Sequence, residues 1–401
     1  MAEEFLFEGL KVLDVGTWIA APVATTMLSD YGADVVKIEL PGLGDAYRNF
    51  AAAWGLPNTE ANFTWQLDAR NKRSLALNLK TNKGQEILHQ LIADCDVYVT
   101  NQPLPMRRSL NLTYEDLRQR NDKMIYASLT AYGEHGPERD NEGFDVIAYW
   151  ARSGLMDTLR LPDATPAAAM PGMGDHPTGV TMYANIVTAL LRRQQTGKGS
   201  HVHTSLLANG LWSASCVAQA ALAGVDVGAY AELRASAFVN IPYQTADGGW
   251  LHFTMTRTVE QLDMLFVTAG LDEITMDERF VTPELRRANG HLIVEQLREV
   301  IRTRTVQEWL ADFRVADVPV AEVATAESLC DDEQLRVNDM LMDAPASMGM
   351  SRVIDHPLNQ EGLARRPVTR APELGEHSRE VLGELGYTGV EIDALIAAGV
   401  V

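Results

Sequence analysis

GLKVLDVGTWIAAPVATTMLSDYGADVVKIELPGLGD (9–45) is the stretch that decides the fold. It opens with LKVLDVG (10–16), a short apolar run closed by glycine, as in a strand buried on both faces. AAPVATTMLSDYGA follows with helical spacing and stops at Gly32, and ADVVKIEL (33–40) is a second apolar strand. Strand, helix and strand in so short a span form one crossover unit of a parallel sheet.

The alternation continues outward. SLALNLK (74–80) alternates apolar and polar residues, GQEILHQLIADC (84–95) is an amphipathic helix, and DVYVTN (96–101) and KMIYASLTAYG (123–133) are further strands. Ligands of such sheets bind beyond the carboxyl ends of the strands, so the loops near Gly16, Leu40 and Asn101 are the expected cleft. VTMYANIVTALLRRQQ (180–195) is the clearest helix, with Tyr183, Ile186, Val187, Leu190 and Leu191 on one face and the glycines of TGKG at its end. HVHTSLL (201–207) reads as a strand, and 208–223 as one alanine-rich apolar helix. The texture then changes. NIPYQTADGGWLHFTM (240–255) is a hairpin turning at Asp247-Gly248-Gly249, and 291–304 and 305–313 are helices. These patterns predict an α/β fold in three stretches. Residues 1–224 form the first part of a large domain, 225–325 a small domain, and 326–401 a tail that rejoins the first sheet.

Composition narrows the function. The 401 residues are 46% hydrophobic and 22% charged, enough for a substantial core, and no apolar run is long enough to cross a bilayer. MAEEFLFEGL at the start is acidic and does not read as a signal peptide, which points to the cytoplasm. A net charge of -20 argues against nucleic acid as a partner, although a local basic patch can still hold an anionic ligand. Cys95, Cys216 and Cys330 are far apart and read as small core hydrophobes, not as a disulfide framework or zinc ligands. The histidines have no HExxH spacing, so no metal is expected.

Several blocks together resemble the family III CoA-transferases, the group of formyl-CoA transferase, carnitine CoA-transferases and alpha-methylacyl-CoA racemase. They are the opening 9–45, NKRSLALNLKTNKGQEIL (71–88), LTAYGEHGP (129–137), GFDVIAYWARSGLM (143–156), GDHPTGVTMYANIVTALLRRQQTGKGSHV (174–202) and RAPELGEHSREVLGELGY (370–387). The resemblance implies a large Rossmann-like parallel-sheet domain built from both chain ends, a smaller α+β domain, and an interlocked homodimer. It also implies an acyl-CoA and a carboxylic acid as substrates, no permanently bound cofactor, and no membrane or nucleic-acid partner.

Asp175 falls on the family's nucleophilic aspartate, a carboxylate able to attack a thioester. From local sequence alone it reads as an ordinary helix cap just before a helix over 178–193, with Pro177 near the first helical position. The helix dipole is expected to keep it ionised, and Gly172 and Gly174 to let substrate approach the backbone. Asp145 matches an acidic position near the family's active site and is equally readable as a capping residue. His176 reads as a local hydrogen-bonder. Phe144 stands where the racemases carry histidine, and phenylalanine cannot move a proton. That counts against racemisation and leaves intramolecular CoA transfer, or a non-catalytic CoA-binding role, as alternatives to intermolecular transfer.

Thr17, Trp18, Ile19 and Ala20 match the segment lining the family's CoA channel, and Asn101 a CoA-contacting asparagine. Formyl-CoA transferases have histidine and glutamine in place of Thr17 and Ile19, and arginine in place of Leu40, which counts against formyl or oxalate specificity. Arg73 and Arg108 (or its neighbour Arg107) are candidates for the CoA phosphates. Gly248 and Gly249 could shield intermediates as a glycine loop does in formyl-CoA transferase, or simply turn the hairpin.

Overall fold

A computed structural model describes the chain except for residues 1–4, 54, 56–58, 161–162, 229–236 and 255–257. Part of the N-terminal stretch read above, and Met255 of the hairpin, thus lie outside the described residues. Two compact units are present: residues 1–157, 168–215 and 335–401 form one, and 158–167 with 216–334 the other.

In the first unit six strands lie in one parallel sheet: β1 (Lys11–Asp14), β2 (Asp34–Glu39), β3 (Arg73–Ala76), β4 (Val97–Thr100), β5 (Ile125–Thr130) and β6 (Ser200–Ser205), in the order β3-β2-β1-β4-β5-β6. The strand order reverses between β1 and β4, and a crevice opens there at the carboxyl ends. Alternate residues divide the core between the two faces. Val12, Val35, Val97 and Ile125 face α1 (Ala20–Asp30) and, further along the chain, the long helix Asp175–Thr196. Their neighbours Leu13, Val36, Tyr98 and Tyr126 face a second core holding Ile87 and Leu88, with Val381, Leu382 and Ile392 from the tail.

All of α1 is buried, which its small side chains permit, and its hydroxyls find partners. Thr25 donates to the Asp14 carboxylate at 2.8 Å, and Thr26 to the backbone carbonyl of Asp68 at 2.5 Å. Asp68 lies on α2 (Phe63–Ala69). The amphipathic helix α3 spans Asn82–Ala93, α4 is Asp175–Thr196, and α5 is Leu206–Ser213.

Three expectations change. The tail adds no strand to the six-stranded sheet among the described residues; it caps the edge instead. His377 and Ser378 accept hydrogen bonds from the backbone N–H groups of Ser74 and Ala76 at 3.2 and 3.1 Å, covering β3's open side. The apolar segment 208–223 is two helices, α5 and Ser215–Leu222, broken at Ala214. Finally, α4 begins at Asp175 itself, with Gly174 as its cap.

The second unit has its own core. β7 (Pro242–Gln244), β8 (Trp250–Phe253) and β9 (Val320–Glu322) form an antiparallel sheet, with Phe253, Phe266, Trp309 and Phe313 buried together.

Candidate active site

The loop after β1 is bent by a tryptophan with a left-handed backbone, Trp18 at φ 63°. Surrounding groups over-determine that strained conformation. Trp18 N–H donates to Asp45 at 3.0 Å, and Thr17 and Asn101 exchange two bonds: Thr17 N–H to the amide oxygen at 2.8 Å, and the amide nitrogen to the Thr17 carbonyl at 2.7 Å. Asn101 follows β4, so this pair ties the two strands together where the strand order reverses.

Beneath the loop lies a charge cluster that is buried except at Arg48, which is half-buried. Lys37 bonds to Asp45 at 2.8 Å and to the Gly16 carbonyl at 3.1 Å; Lys72 bonds to Asp14 at 3.0 Å, and Arg48 to Glu39 at 2.7 Å. Burial pushes Asp14 up, but Lys37 and Lys72 outweigh it and hold the carboxyl below its ordinary range. Burial pushes Lys37 down, and Asp14 and Asp45 more than reverse that.

Asp175 lines a cavity of about 320 Å³ together with Thr17, Trp18, Ala20, Asn101 and Phe144. The Trp18 ring meets Phe144 edge-to-face at 5.2 Å. A second cavity of about 210 Å³ reaches the ends of β2 and β3, lined by Leu40 and Lys80, and both cavities are bounded by Thr17, Gln102 and Met106.

Asp145 is buried, and one of its oxygens accepts the N–H groups of Gly172 and Gly174, each at 2.9 Å. Asp145 thus shapes the turn that presents Asp175. Local structure by itself favours glycine at both positions. Gly172 has φ 93°, and a Cβ on Gly174 would meet the Tyr149 ring at 2.6 Å. Burial first, then Asp145, pushes Asp175 up to about 8, and His176 pulls it back in part. The helix start therefore does not keep this carboxyl in its usual range, because burial, with the Asp145 carboxylate adding to it, outweighs the dipole.

His176 bonds the Gly172 carbonyl at 2.9 Å through Nδ1 and Asp68 at 3.2 Å through Nε2. Tyr47 donates to the other Asp68 oxygen at 2.8 Å. Sequence reasoning missed Asp68, Tyr47 and Lys80. A carboxylate in register with Trp65 and Ala69 on the buried stripe of α2 is the signal that would have found Asp68.

The remaining candidates separate. Ile19 turns into the core rather than the cavity. Arg73 stands at the amino end of its strand, opposite the crevice, held by Asp34, Glu380 and Glu384 at 2.5–2.9 Å. Arg107 is buried on Glu134, and Arg108 is exposed and paired with Asp140 at 3.0 Å. Gly248 and Gly249 turn the β7–β8 hairpin of the second unit, with Thr245 N–H on the Gly249 carbonyl at 3.0 Å. Among the described residues, Asp30, Asp355 and His356 lie close enough to hold a cation. Arg70 already pairs Asp30 and Arg365 pairs Asp355, so guanidinium groups supply the positive charge there. No described helix is long and apolar enough to cross a membrane.

Comparison with known proteins converges with this geometry. A family model described as CoA-transferase family III matches residues 7–378. The chain is 33% identical to cinnamoyl-CoA:phenyllactate CoA-transferase of Clostridium sporogenes, over 97% of this chain and 96% of that one. It is 30% identical to (R)-2-hydroxy-4-methylpentanoate CoA-transferase of Clostridioides difficile, over 97% of each. Among solved structures, a CAIB/BAIF family protein from Brucella suis superposes with a TM-score of 0.83 at 26% identity, over 96% of this chain and 100% of that one.

Proposed function

The chain belongs to CoA-transferase family III, and on that premise we propose that it passes coenzyme A between two carboxylic acids through covalent intermediates on Asp175. The observation that carries this reading is one cavity shared by Asp175 and the Thr17–Trp18–Asn101 loop, at the crevice where a doubly wound sheet binds its ligand.

An Asp175 oxygen attacks the thioester carbonyl. The C–S bond breaks, CoA leaves as thiolate, and a mixed anhydride remains. The thiolate then attacks the aspartyl carbonyl, giving an aspartyl-CoA thioester and the first acid as its carboxylate. The acceptor carboxylate repeats these steps in reverse and restores Asp175. Carboxylates enter and leave, so no step needs a net proton transfer, and a phenylalanine at 144 is compatible with turnover. Ionised Asp175 is also a more basic nucleophile than an ordinary aspartate, because its surroundings disfavour the bare charge.

The nucleotide end of CoA extends over the β2 and β3 ends, where Lys80 offers an exposed cation. The acyl group comes from a monocarboxylic acid with an aromatic or branched aliphatic side chain. Trp18, Phe144, Leu104 and Leu206 line the cavity, and the two relatives named above are named for cinnamoyl-CoA and phenyllactate and for (R)-2-hydroxy-4-methylpentanoate. The enzyme works as a homodimer. In the first unit Trp212 is 80% exposed, the kind of apolar surface a second copy covers. On this reading it works in the cytoplasm; of its cysteines Cys95 is buried as expected, whereas Cys216 and Cys330 are exposed and not core residues.

The test is intact mass after incubation with acetyl-, succinyl-, branched and aryl acyl-CoA, with and without hydroxylamine, beside Asp175→Ala. An acyl- or CoA-sized adduct on wild type alone, mapped to Asp175, is expected. An adduct that persists in the variant would overturn the reading.

A further inference from the structure

We propose that His176 is a positioning residue, fixed as an imidazolium between Asp68 and the Gly172 carbonyl, whose positive charge keeps enough of Asp175 ionised to react. The argument starts from acceptor chemistry. A backbone carbonyl and a carboxylate can only accept hydrogen bonds. Gly172 O lies 2.9 Å from Nδ1 and an Asp68 oxygen 3.2 Å from Nε2, so both ring nitrogens donate and the ring carries two protons.

Asp68 is itself prepared for this. Its side chain is 4% exposed against 42% for His176. Its second oxygen is held by Tyr47, and α1 grips its backbone carbonyl through Thr26. Solvent therefore reaches the imidazole while its counter-ion stays fixed. Burial pushes His176 down, and Asp68 more than reverses it, to about 9.

The remaining charges around the pair do not substitute for His176. Asp145 and Asp68 both push Asp175 up, and of the groups acting on it His176 alone is positive among the described residues. Across the apolar cavity on His176's other side stand Arg70, Asp355 and His356. Arg70 is committed to Asp30 and Asp355 to Arg365, while burial and those two arginines push His356 down to about 3.

This inference takes its purpose from the reading of Asp175 as nucleophile, but its test does not. Infrared difference spectra, with Asp175→Asn subtracted, report the carboxylic acid on Asp175 without turnover. In wild type the acid band should disappear as pH rises through about 8. In His176→Gln, or His176→Asn should the first not fold, the midpoint should rise by about one pH unit or more, a tenfold loss of the ionised form below it. Turnover should fall in proportion at pH 7, recover as pH rises, and be partly restored in His176→Lys. In Asp68→Asn the His176 ring resonances should titrate below the wild-type value. An unmoved infrared midpoint, or a loss of turnover uniform in pH and unrelieved by lysine, overturns the proposal. A shifted midpoint in a chain that forms no aspartyl adduct would instead remove the nucleophile and leave the charge relation standing.

Discussion

Two charge clusters lie close to each other in the first unit, and they are built on opposite rules. Under the β1 loop, Asp14, Glu39 and Asp45 face Lys37, Lys72 and Arg48, each carboxylate matched by a cation. Around the start of α4, Asp68, Asp145 and Asp175 crowd about His176, among the described residues the one cation acting on Asp175. The matched cluster holds Asp14 and Glu39 below their ordinary range and fixes a strained loop. The unmatched one leaves one acid short of a partner. Ionisable groups displaced by their surroundings gather where chemistry is done, and the contrast separates the part of the site that is scaffold from the part that reacts.

The largest expected effect comes from emptying the unmatched cluster. Asp175→Asn should cut CoA transfer by roughly 10³-fold or more, as loss of a covalent nucleophile does. It should leave the melting midpoint equal or higher, because a crowded carboxylate has gone. Thermal unfolding and a CoA-transfer assay on one preparation decide this, and a much lower midpoint would mean that Asp175 is structural. The reverse belongs to the matched cluster. Lys37→Met strands Asp45 and leaves Asp14 to Lys72 alone, and should cost about 3–5 kcal/mol in urea unfolding, the usual effect of breaking a buried pair from one side.

Acidity separates the clusters by sign. Asp14 is held below its unfolded value, so its contribution is present above the carboxylate range and lost as pH falls through its folded value. Asp175 is held above its unfolded value, near 4, at about 8. The native state binds the extra proton between those values, so Asp175 makes stability fall as pH rises from about 4 to about 8. Asp175→Asn should flatten that decline in the melting midpoint; an unchanged slope would contradict the crowding.

Smaller effects mark the edges. Asn101→Ala opens the link between Thr17 and β4 and should raise the KM for acyl-CoA about tenfold, from a loss of ~1–2 kcal/mol of hydrogen bonding, with kcat less affected. Arg73→Ala should leave KM unchanged and cost about 1 kcal/mol in stability, as a largely surface ion pair does. A raised KM would return Arg73 to the crevice.

Much of this was legible in the chain. Apolar runs such as LKVLDVG and DVYVTN specify strands buried on both faces, and the helices between them require parallel pairing. The crevice residues Thr17 and Asn101 follow from the ends of those strands. Asp175 was legible only through resemblance, because a carboxylate at a helix start is an ordinary cap until its neighbours are known. Those neighbours come from elsewhere: Asp68 from a helix more than a hundred residues earlier, Tyr47 from a single 3-10 turn, and Asp145 through backbone N–H groups that carry no residue identity. Arg73 misled because a guanidinium beside a strand looks the same at either end of it.

The cap that His377 and Ser378 place on β3 has a consequence during synthesis. Its donors, Ser74 and Ala76, lie 303 and 302 positions earlier in the chain. At roughly 5–20 residues per second, the ribosome takes on the order of 15–60 s to make the intervening length. Throughout that interval the nascent sheet presents an open strand to its neighbours on the polysome, at the high local concentration where edge-to-edge association is fastest. A chaperone that shields strand edges, or fast translation of the middle of the message, should therefore raise the yield of this protein more than any change to its mature surface.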